Sequence, residues 1–363
     1  MKLWLDTSKA YAIALEGGGA KGAYEVGVWK ALDEAGVRFD AVAGTSVGAL
    51  NGAMMVMGEL EQALRLWENI RFSQVFDADD EQLKKLYDHK LSEVDFRTLF
   101  KDVMEAIHEG GLDIEPLRRL IAEWVDEEKI RASEKKLFLV TYSLTDKREL
   151  DMDADELEEG KLRDMLLASA YVPLFQRKKL DGKDYVDGSV HNIVPISSLL
   201  ERGYRDIIVI RIFGVGFEKR TRIPEDANII TVAPREKLGG VLQFDAAQSR
   251  RLLQLGYFDG LRMLYGLAGE KYYIDRQWSE TEAYFALQEL CRLFIKEETP
   301  SLWALNETIL PKLAKHLKVK DGGYYDLLTA LLERLAERQG ISPFRVRTEE
   351  MLLLEIAAKM KKK

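Results

Sequence analysis

Two glycine-bearing turns, each between a short apolar run and a helical pattern, restrict the fold of this chain more than any other feature. Residues 11–15 are apolar, and Gly-Gly-Gly-Ala-Lys-Gly at 17–22 separates them from a helical pattern over 22–35. Residues 41–43 form a second apolar run, and Gly-Thr-Ser-Val-Gly at 44–48 separates it from a helix of small residues. An order of strand, helix, strand, helix predicts a parallel sheet with right-handed crossovers.

The rest of the chain continues this α/β pattern and then becomes helical. The predicted strands cover residues 137–142, 149–152, 207–212 and 229–232, with a hairpin over 174–186 turning at Asp181-Gly182. The predicted helices beyond Phe244 cover residues 245–267, 280–296, 301–338 (broken at Pro311 and at Gly322-Gly323) and 348–362. No strand is predicted after Phe244. This pattern predicts an α/β domain over residues 1–270 and a helical region over 271–363.

Composition restricts the classes of protein to consider. Lys plus Arg number 53 and Asp plus Glu 61, and the net charge of −8 argues against a dedicated nucleic-acid binder. The four histidines are scattered, so no zinc site is predicted. A single cysteine and the absence of a signal peptide predict a reducing, cytoplasmic location. Residues 41–58 are uncharged, but their four glycines and interspersed polar residues argue against a membrane span.

The glycine-rich loop over residues 17–22 has two interpretations. Glycines let the backbone approach another group closely, and amides at a helix N-terminus favour an anion. The same pattern is the dinucleotide fingerprint, and Asp40 lies near the distance at which a ribose-binding carboxylate is expected. On its own, this motif leaves an anion-binding loop and a nucleotide site both open.

The second motif, over residues 44–48, has the form of a nucleophile elbow. A sharp strand-to-helix turn would expose the Ser46 hydroxyl at the edge of the sheet, and side chains at Gly44 or Gly48 would clash with neighbouring backbone. The dipole of the following helix favours negative charge near Ser46. The alternative is a glycine-rich helix start with Ser46 as its N-cap.

The third motif, Asp187-Gly188-Ser189, follows a short strand at residues 184–186. An Asp-Gly pair after a strand is usually a turn. A nucleophilic serine needs a general base, however, and the histidine nearest to any motif is His191. Because Asp187 and His191 are four residues apart, one short segment would struggle to place the ring between carboxylate and serine. A dyad, in which the carboxylate takes the serine proton directly, is favoured over a triad.

In this order the three motifs resemble those of the patatin-like phospholipases. The match covers Leu-Glu-Gly-Gly-Gly-Ala-Lys-Gly at 15–22, Gly-Thr-Ser-Val-Gly-Ala at 44–49, and Asp187-Gly188-Ser189 followed by Asn192, Val194 and Pro195. Residues 168–175 and 250–259 also look like parts of such a domain, so the resemblance extends over residues 8–270. Jointly the motifs displace the dinucleotide interpretation.

The resemblance implies a three-layer α/β/α fold with a mainly parallel central sheet, and a calcium-independent lipid acyl hydrolase that works through an acyl-enzyme. It implies Ser46 as nucleophile and Asp187 as base, without metal or cofactor. The implied oxyanion hole is Gly18, Gly19 and Ala20, and the supporting motif residues are Gly17, Lys21, Gly22, Gly44, Gly48 and Gly188. The implied substrate is a lipid or fatty-acyl ester. Ser189 is a departure, because alanine or glycine is commoner at that position, and its small side chain should be tolerated.

Several features outside the motifs keep two interpretations. Residues 59–130 are predicted to form a mostly helical insertion. Its aromatic residues line an acyl-chain entrance or belong to the core; they are Phe72, Phe76, Tyr87, Phe96 and Phe100. Residues 351–363 are apolar and then basic, which fits a peripheral membrane contact or a packed last helix with a solvated lysine tail. Homo-oligomerisation is left open. The alternative function is a patatin-like scaffold that binds lipids or a protein partner, with weak or no turnover.

Overall fold

A computed structural model describes residues 2–77, 111–176, 178–294, 301–320 and 322–361. The chain divides into two compact units, one of Asp6–Gly260 and the other of Met1–Leu5 with Leu261–Lys363. The domain limits given above, 1–270 and 271–363, stay a prediction. None of the helices that the structure describes combines the length and apolarity that a bilayer span requires.

The larger unit is built on a mixed, mostly parallel sheet. Within the described residues its strands are β1 (Ala10–Leu15), β2 (Arg38–Thr45), β3 (Lys136–Ser143), β4 (Arg148–Asp153), β5 (Tyr185–Asp187), β6 (Asp206–Ile210) and β7 (Asn228–Val232). The strand order is β4-β3-β2-β1-β6-β7, and β5 also pairs with β3. β4 and β5 run antiparallel to β3, whereas the other pairings are parallel.

Helices surround this sheet. They are α1 (Ala23–Glu34), α2 (Val47–Met57), α3 (Leu60–Asn69), α4 (Glu115–Trp124), α5 (Glu127–Ala132), α6 (Leu162–Ser169), α7 (Ile196–Glu201) and α8 (Ala246–Tyr265). Short 3₁₀ turns cover Gly19–Gly22, Phe72–Gln74, Ala154–Glu156 and Gly188–Val190.

Helices cover both faces of the sheet. Side chains alternate between the two faces along each strand, so successive residues of one strand pack against different helices. Ala12 and Ala14 of β1 pack in one core cluster with Leu199 of α7. Leu15 points to the opposite face, where Gly52 of α2 comes so close that an added β-carbon would lie 3.8 Å from Leu15 Cδ1. The result is a three-layer α/β/α fold, which confirms the predicted fold class.

The smaller unit is mainly helical, with a buried core of its own. Its elements are β8 (Tyr273–Ile274), α9 (Glu280–Phe294), α10 (Leu302–Ala304), a π-helical turn (Leu305–Ile309), α11 (Leu310–Leu317), α12 (Tyr324–Arg338), β9 (Val346–Arg347) and α13 (Glu349–Met360). Leu287, Leu328, Leu332 and Leu352 are buried together. Because α13 contributes Leu352 to that core, the predicted last helix is a packed element.

Two predicted features of the larger unit differ in the structure. The predicted hairpin over residues 174–186 is reduced to one bridge between Leu180 and Lys183, around the predicted turn. Tyr185–Asp187 pairs with β3 instead, because β3 extends beyond the end of β2 and offers free backbone groups there. The predicted helical stretch 59–130 includes α3, α4 and part of α5. Its central part, with Tyr87, Phe96 and Phe100, lies outside the described residues.

Two predicted features of the smaller unit also differ. The expectation of no strand after Phe244 is wrong, since β8 and β9 form a parallel pair. Two-residue strands are too short to produce a periodic pattern. The predicted break at Pro311 is instead a π-helical turn over Leu305–Ile309 that leads without interruption into α11, and Pro311 lies in the first turn of α11.

Candidate active site

One edge of β3 brings Ser46 and Asp187 together. β4 pairs with β3 along residues 138–143, so β2 and β5 share the other edge. Thr45, the last residue of β2, pairs with Val140, and Asp187, the last residue of β5, pairs with the next residue, Thr141. Ser46 follows Thr45 directly. The two motifs, far apart in the sequence, therefore meet at the carboxyl end of β2.

Ser46 stands on a sharp turn, as a nucleophile elbow requires. Its backbone has φ 56° and ψ −124°, a conformation that L-residues rarely adopt. Strand and helix approach so closely here that a β-carbon on Gly44 would overlap the backbone of Gly48. The amide of Ser46 donates to Ser169 Oγ at 2.8 Å, and Ser169 Oγ donates to the Val140 carbonyl at 2.6 Å. Ser46 occupies the N-cap position of α2, but its side chain makes no capping hydrogen bond there.

The Asp187 carboxylate is buried and faces serine hydroxyls. It accepts a hydrogen bond from the Ser189 amide at 2.8 Å, and hydrogen bonding with the Ser46 and Ser189 side chains lowers its pKa. Burial raises the pKa of Asp187 above its ordinary value, while these hydrogen bonds act in the opposite direction. The amide of Asp187 donates to the Tyr171 carbonyl at 2.8 Å, which fixes its backbone.

The His191 ring is held by groups other than Ser46 and Asp187. Its Nδ1 lies 2.5 Å from Glu149 Oε2, and the ring stacks on Tyr142 with a centroid distance of 5.7 Å. The described partners of the Asp187 side chain are serines and a backbone amide, with no imidazole among them. The structure therefore brings Ser46 to Asp187 without placing His191 between them.

The glycine-rich loop runs beside Ser46. A β-carbon on Gly17 would lie 3.4 Å from Ser46 Cβ. The amide of Ala20 donates to the Val241 carbonyl at 2.8 Å, which removes Ala20 from the predicted set of oxyanion donors. The amides of Gly18 and Gly19 donate to no acceptor among the described residues.

A buried carboxylate organises the segment that supports this loop. Glu16 Oε2 accepts from Arg211 Nε at 2.9 Å and from the amides of Ile212 and Phe213 at 2.7 and 3.1 Å. Its Oε1 accepts from the amide of Gly214 at 3.1 Å. These bonds fix residues 211–214 against the glycine loop, where a β-carbon on Gly18 would lie 2.7 Å from Ile212 Cδ1.

Lys21 is directed at the same segment. The side chain is buried, and its ammonium donates to the Phe213 carbonyl. Burial lowers the pKa of Lys21, and the charge of Glu16 opposes that shift. The side chain therefore ties the start of α1 to the segment after β6.

The remaining motif glycines mark close approaches. A β-carbon on Gly22 would lie 2.5 Å from Val47 Cγ2, and one on Gly188 would overlap the Val140 carbonyl. Asp40, the carboxylate of the dinucleotide interpretation, is exposed near the amino end of β2, whereas the glycine loop follows the carboxyl end of β1. Because β1 and β2 are parallel, Asp40 lies at the opposite edge of the sheet from the loop.

A predominantly apolar cavity of about 100 Å³ opens beside Ser46. Residues from α2, α3, α4 and the loops around them line it, among them Leu50, Met54, Phe76, Leu120 and Phe244. Phe76 was one of the aromatic residues with two interpretations, and it lines this cavity. Phe72 is buried.

A buried polar network joins three helices at the cavity wall. Asn51 Nδ2 donates to Glu25 Oε2 at 2.7 Å and to the Gly22 carbonyl at 3.0 Å. Trp67 Nε1 donates to Asn51 Oδ1 at 3.0 Å. Glu25 is fully buried, and burial raises its pKa well above the ordinary value for glutamate. The network fixes α1, α2 and α3 around the elbow.

Sequence reasoning did not identify Glu16, Ser169 or Glu25 as site residues. A carboxylate directly after an apolar strand was a usable signal for Glu16, because a buried charge needs partners. Ser169 and Glu25 carry no local signal. Within the ranges that the structure describes, no three His, Cys, Asp or Glu side chains are grouped so that they could hold a metal ion.

Comparison with protein families gives a match over half of the chain. Residues 13–200 match the family model described as patatin-like phospholipase. The matched range contains all three motifs and ends within α7.

Comparison with curated proteins gives short matches of high identity. The chain is 52% identical over 46 residues to lysophospholipase nte1 of Aspergillus terreus, covering 13% of this chain and 3% of that protein. It is 52% identical over 48 residues to patatin-like phospholipase domain-containing protein 6 of Homo sapiens, covering 13% and 4%. The matches therefore span only a few per cent of these much longer relatives.

Among solved structures, VipD from Legionella pneumophila aligns with 97% of this chain and 87% of its own, at a TM-score of 0.46 and 13% sequence identity.

Proposed function

The chain belongs to the patatin-like phospholipase family, and from this premise we propose that it is a lipid acyl hydrolase of the phospholipase A, lysophospholipase or carboxylesterase type. The observation that carries the proposal is that the shared edge of β3 brings the sharp turn at Ser46 to the buried Asp187 carboxylate, beside an apolar cavity. The proposed hydrolase domain covers residues 1–270, with 271–363 as a helical region. A cytoplasmic location, with or without membrane contact, is part of the same proposal.

In the first proposed step, Asp187 takes the proton of Ser46 as the serine oxygen attacks the ester carbonyl carbon. The elevated pKa of a buried carboxylate makes it a stronger base than an exposed aspartate. The tetrahedral intermediate then collapses, the bond to the leaving alcohol breaks, and Asp187 returns the proton to that alcohol. Ser46 is left acylated.

In the second proposed step, Asp187 removes a proton from water as the water oxygen attacks the acyl-enzyme. Collapse of this intermediate releases the fatty acid, and the proton returns to Ser46. The same carboxylate serves both steps, so the proposed mechanism needs no histidine. The pairing of His191 with Glu149 fits this assignment.

The amides of Gly18 and Gly19 are the proposed oxyanion donors. They lie in the loop that packs against Ser46, and they have no acceptor among the described residues. Removing one such donor typically costs about 3 kcal/mol of transition-state stabilisation. Because backbone amides would hold the oxyanion, the proposed reaction needs no calcium.

The apolar cavity is the proposed site of the acyl chain. Its lining is predominantly apolar, and Ser46 and Gly19 both contribute to its wall. An acyl chain inside it would place its ester carbonyl at the serine, while the polar head of the lipid would stay outside the cavity. This arrangement supports a lipid or fatty-acyl ester over a small polar ester.

The competing proposal is a lipid- or partner-binding scaffold with weak turnover, and labelling with a fluorophosphonate probe separates the two. The wild-type chain should be labelled covalently, Ser46→Ala should not, and the control Ser189→Ala should keep its label. Absence of labelling in a folded wild-type chain would favour the scaffold. Hydrolysis should then be measured across phospholipids, lysophospholipids and soluble esters, with and without Ser46→Ala.

A further inference from the structure

An apolar surface beside the glycine loop has no role in the proposed chemistry. It is formed by residues 213–217, Phe-Gly-Val-Gly-Phe, which follow β6. Phe213, Val215 and Phe217 expose 54%, 60% and 58% of their surface. Three large apolar side chains exposed within five residues mark a contact surface, because isolated exposed apolar residues are common but clusters are not.

The two glycines between these residues explain why all three apolar side chains point outward. A β-carbon on Gly214 would overlap the Gly17 carbonyl, and one on Gly216 would overlap the Ser189 carbonyl. The segment thus lays its glycines against the glycine loop and against the motif that carries Asp187. Only a hydrogen atom fits on the side of the segment that faces these two motifs, so the large side chains lie on the side that faces solvent.

Hydrogen bonds hold this segment in place. Glu16 accepts from the amides of Phe213 and Gly214, and the Phe217 amide donates to the Ser189 carbonyl at 2.8 Å. The Phe217 carbonyl in turn accepts from the Ile193 amide at 2.9 Å. The backbone that presents the exposed side chains is therefore fixed both to the glycine loop and to the motif that carries Asp187.

Three basic residues follow the apolar residues after Glu218, whose carboxylate pairs with Arg211 at 2.8 Å. Residues 219–222 are Lys-Arg-Thr-Arg, in a chain whose net charge is −8. Lys219 contacts Glu149 at 3.4 Å. Arg220 and Arg222 are exposed and form no ion pair with a carboxylate among the described residues. Exposed apolar side chains next to such arginines are typical of a segment that enters an anionic lipid surface.

We infer that residues 213–222, here called the docking segment, bind the surface of a membrane that contains anionic lipids, with Phe213, Val215 and Phe217 inserted among the acyl chains and Arg220 and Arg222 at the headgroups. This inference rests on the proposed function, because docking here would bring the glycine loop and Ser46 to the interface that contains the substrate. A protein partner on the same surface is the other outcome, and the test below distinguishes it from a membrane.

The test measures co-sedimentation of the full chain with vesicles, in a Ser46→Ala background so that lipid is not consumed. Vesicles of phosphatidylcholine mixed with phosphatidylglycerol should bind the chain at least about tenfold more strongly than phosphatidylcholine alone. The triple variant Phe213→Ser/Val215→Ser/Phe217→Ser should lose at least about tenfold in partition to the mixed vesicles. Arg220→Ser/Arg222→Ser should remove most of the preference for phosphatidylglycerol, and high salt should have the same effect on the unsubstituted segment.

The matched control is Phe285→Ser/Leu302→Ser/Trp303→Ser, since these residues of the other unit expose 57%, 60% and 72%. It should bind vesicles like the parent chain. Circular dichroism and thermal unfolding check that each variant is folded. An equal loss in the control, or no loss in the docking-segment variant, overturns the inference. The inference is also overturned if the parent chain binds no vesicles but forms a dimer in light scattering, and the docking-segment variant abolishes that dimer.

The experiments can reject the proposed function and the docking segment independently of each other. If the wild-type chain hydrolyses a soluble ester but its Ser46→Ala form binds no vesicle, the docking segment is wrong and the hydrolase stands. If the Ser46→Ala form binds vesicles through the docking segment but the wild-type chain hydrolyses no ester, the proposed function is wrong and the surface stands.

Discussion

Ser46 occupies a backbone conformation that typically costs an L-residue about 1–3 kcal/mol, and its neighbours hold it there. The close contact of Gly44 with Gly48 and the hydrogen bond to Ser169 Oγ offset that cost. The serine oxygen is thereby fixed before any substrate binds, which is what a nucleophile needs. Ser46→Ala keeps the same backbone, so its unfolding temperature should match that of the wild type.

At the residue scale, the first prediction separates a dyad from a triad. Asp187→Asn should lower kcat/KM by about 1,000-fold or more, because an amide cannot accept the serine proton. His191→Ala should lower it less than about tenfold, since the ring is paired with Glu149 and the described partners of the Asp187 side chain include no imidazole. The measurement is kcat/KM on a soluble p-nitrophenyl ester.

Circular dichroism should show that both variants are folded. A loss of several hundredfold in folded His191→Ala would identify the imidazole as the base and reject the dyad.

The second prediction concerns the acid limb of the rate profile. Asp187 must be ionised to act as a base, so kcat/KM should fall as pH falls through its pKa, which burial places above the ordinary 3.8. Ser189→Ala removes a hydrogen bond that lowers this pKa. The limb should therefore move to higher pH. The exposed Ser8→Ala is the control, and a limb that moves to lower pH in Ser189→Ala would contradict the assignment.

The sequence carries a strong signal for some site residues and none for others. Ser46 and Asp187 stand in motifs whose glycines are required by backbone contact, so the pattern itself points to them. Ser169, the last residue of α6, accepts the Ser46 amide through its side-chain oxygen. No local pattern distinguishes it from other serines. Ala20 stands in the predicted position, but its amide direction depends on Val241, more than 200 residues away.

At the scale of elements, the hydrogen-bonded side chains of Glu25, Asn51 and Trp67 join α1, α2 and α3. Glu25 has a pKa raised well above 4.5 by burial, and the charge of Glu16 adds to that shift. A carboxyl with a raised pKa in the folded state contributes stability that is complete below the unfolded-state value and is lost as pH rises through the folded-state value. The loss should therefore begin above pH 4.5.

The third prediction follows from that sign. Glu25→Gln keeps an acceptor for Asn51 and cannot ionise, so the difference in unfolding temperature, variant minus wild type, should grow as pH rises from 4.5 to 8. Each pH unit between the two pKa values corresponds to about 1.4 kcal/mol of unfolding free energy. Thermal unfolding followed by circular dichroism measures it.

The control for Glu25→Gln is Glu61→Gln, an exposed residue of α3, whose difference from the wild type should stay constant with pH. A constant difference for Glu25→Gln would mean that Glu25 is ionised in the folded protein.

The type of an element could be predicted where its hydrophobic pattern extends over many residues. Which strands pair with each other could not be predicted. β1, β3, α1 and α8 appear within a few residues of their predicted ends. β5 was expected to pair within its own hairpin, but it completes the edge of β3 instead. That pairing depends on β2 ending before β3 does, which is a property of the assembled sheet and has no local signal. The pairing of β8 with β9 joins residues more than 70 positions apart.

At the scale of the whole molecule, the fourth prediction is that hydrolysis survives chelation. The proposed oxyanion donors are backbone amides of Gly18 and Gly19, so no divalent cation takes part in the chemistry. Activity on a soluble ester should stay within about twofold after dialysis against EDTA. A loss that added calcium restores would reject the calcium-independent mechanism.

The shared edge of β3 has a consequence for the order in which this protein acquires reactivity. Ser46 is synthesised about 140 residues before its proposed base, Asp187, which belongs to β5. The nucleophile and the base can meet only after β2, β3 and β5 have paired. If the proposed dyad is correct, a nascent or partly folded chain carries an inert serine, and the topology of the sheet alone delays the proposed activity until folding is complete.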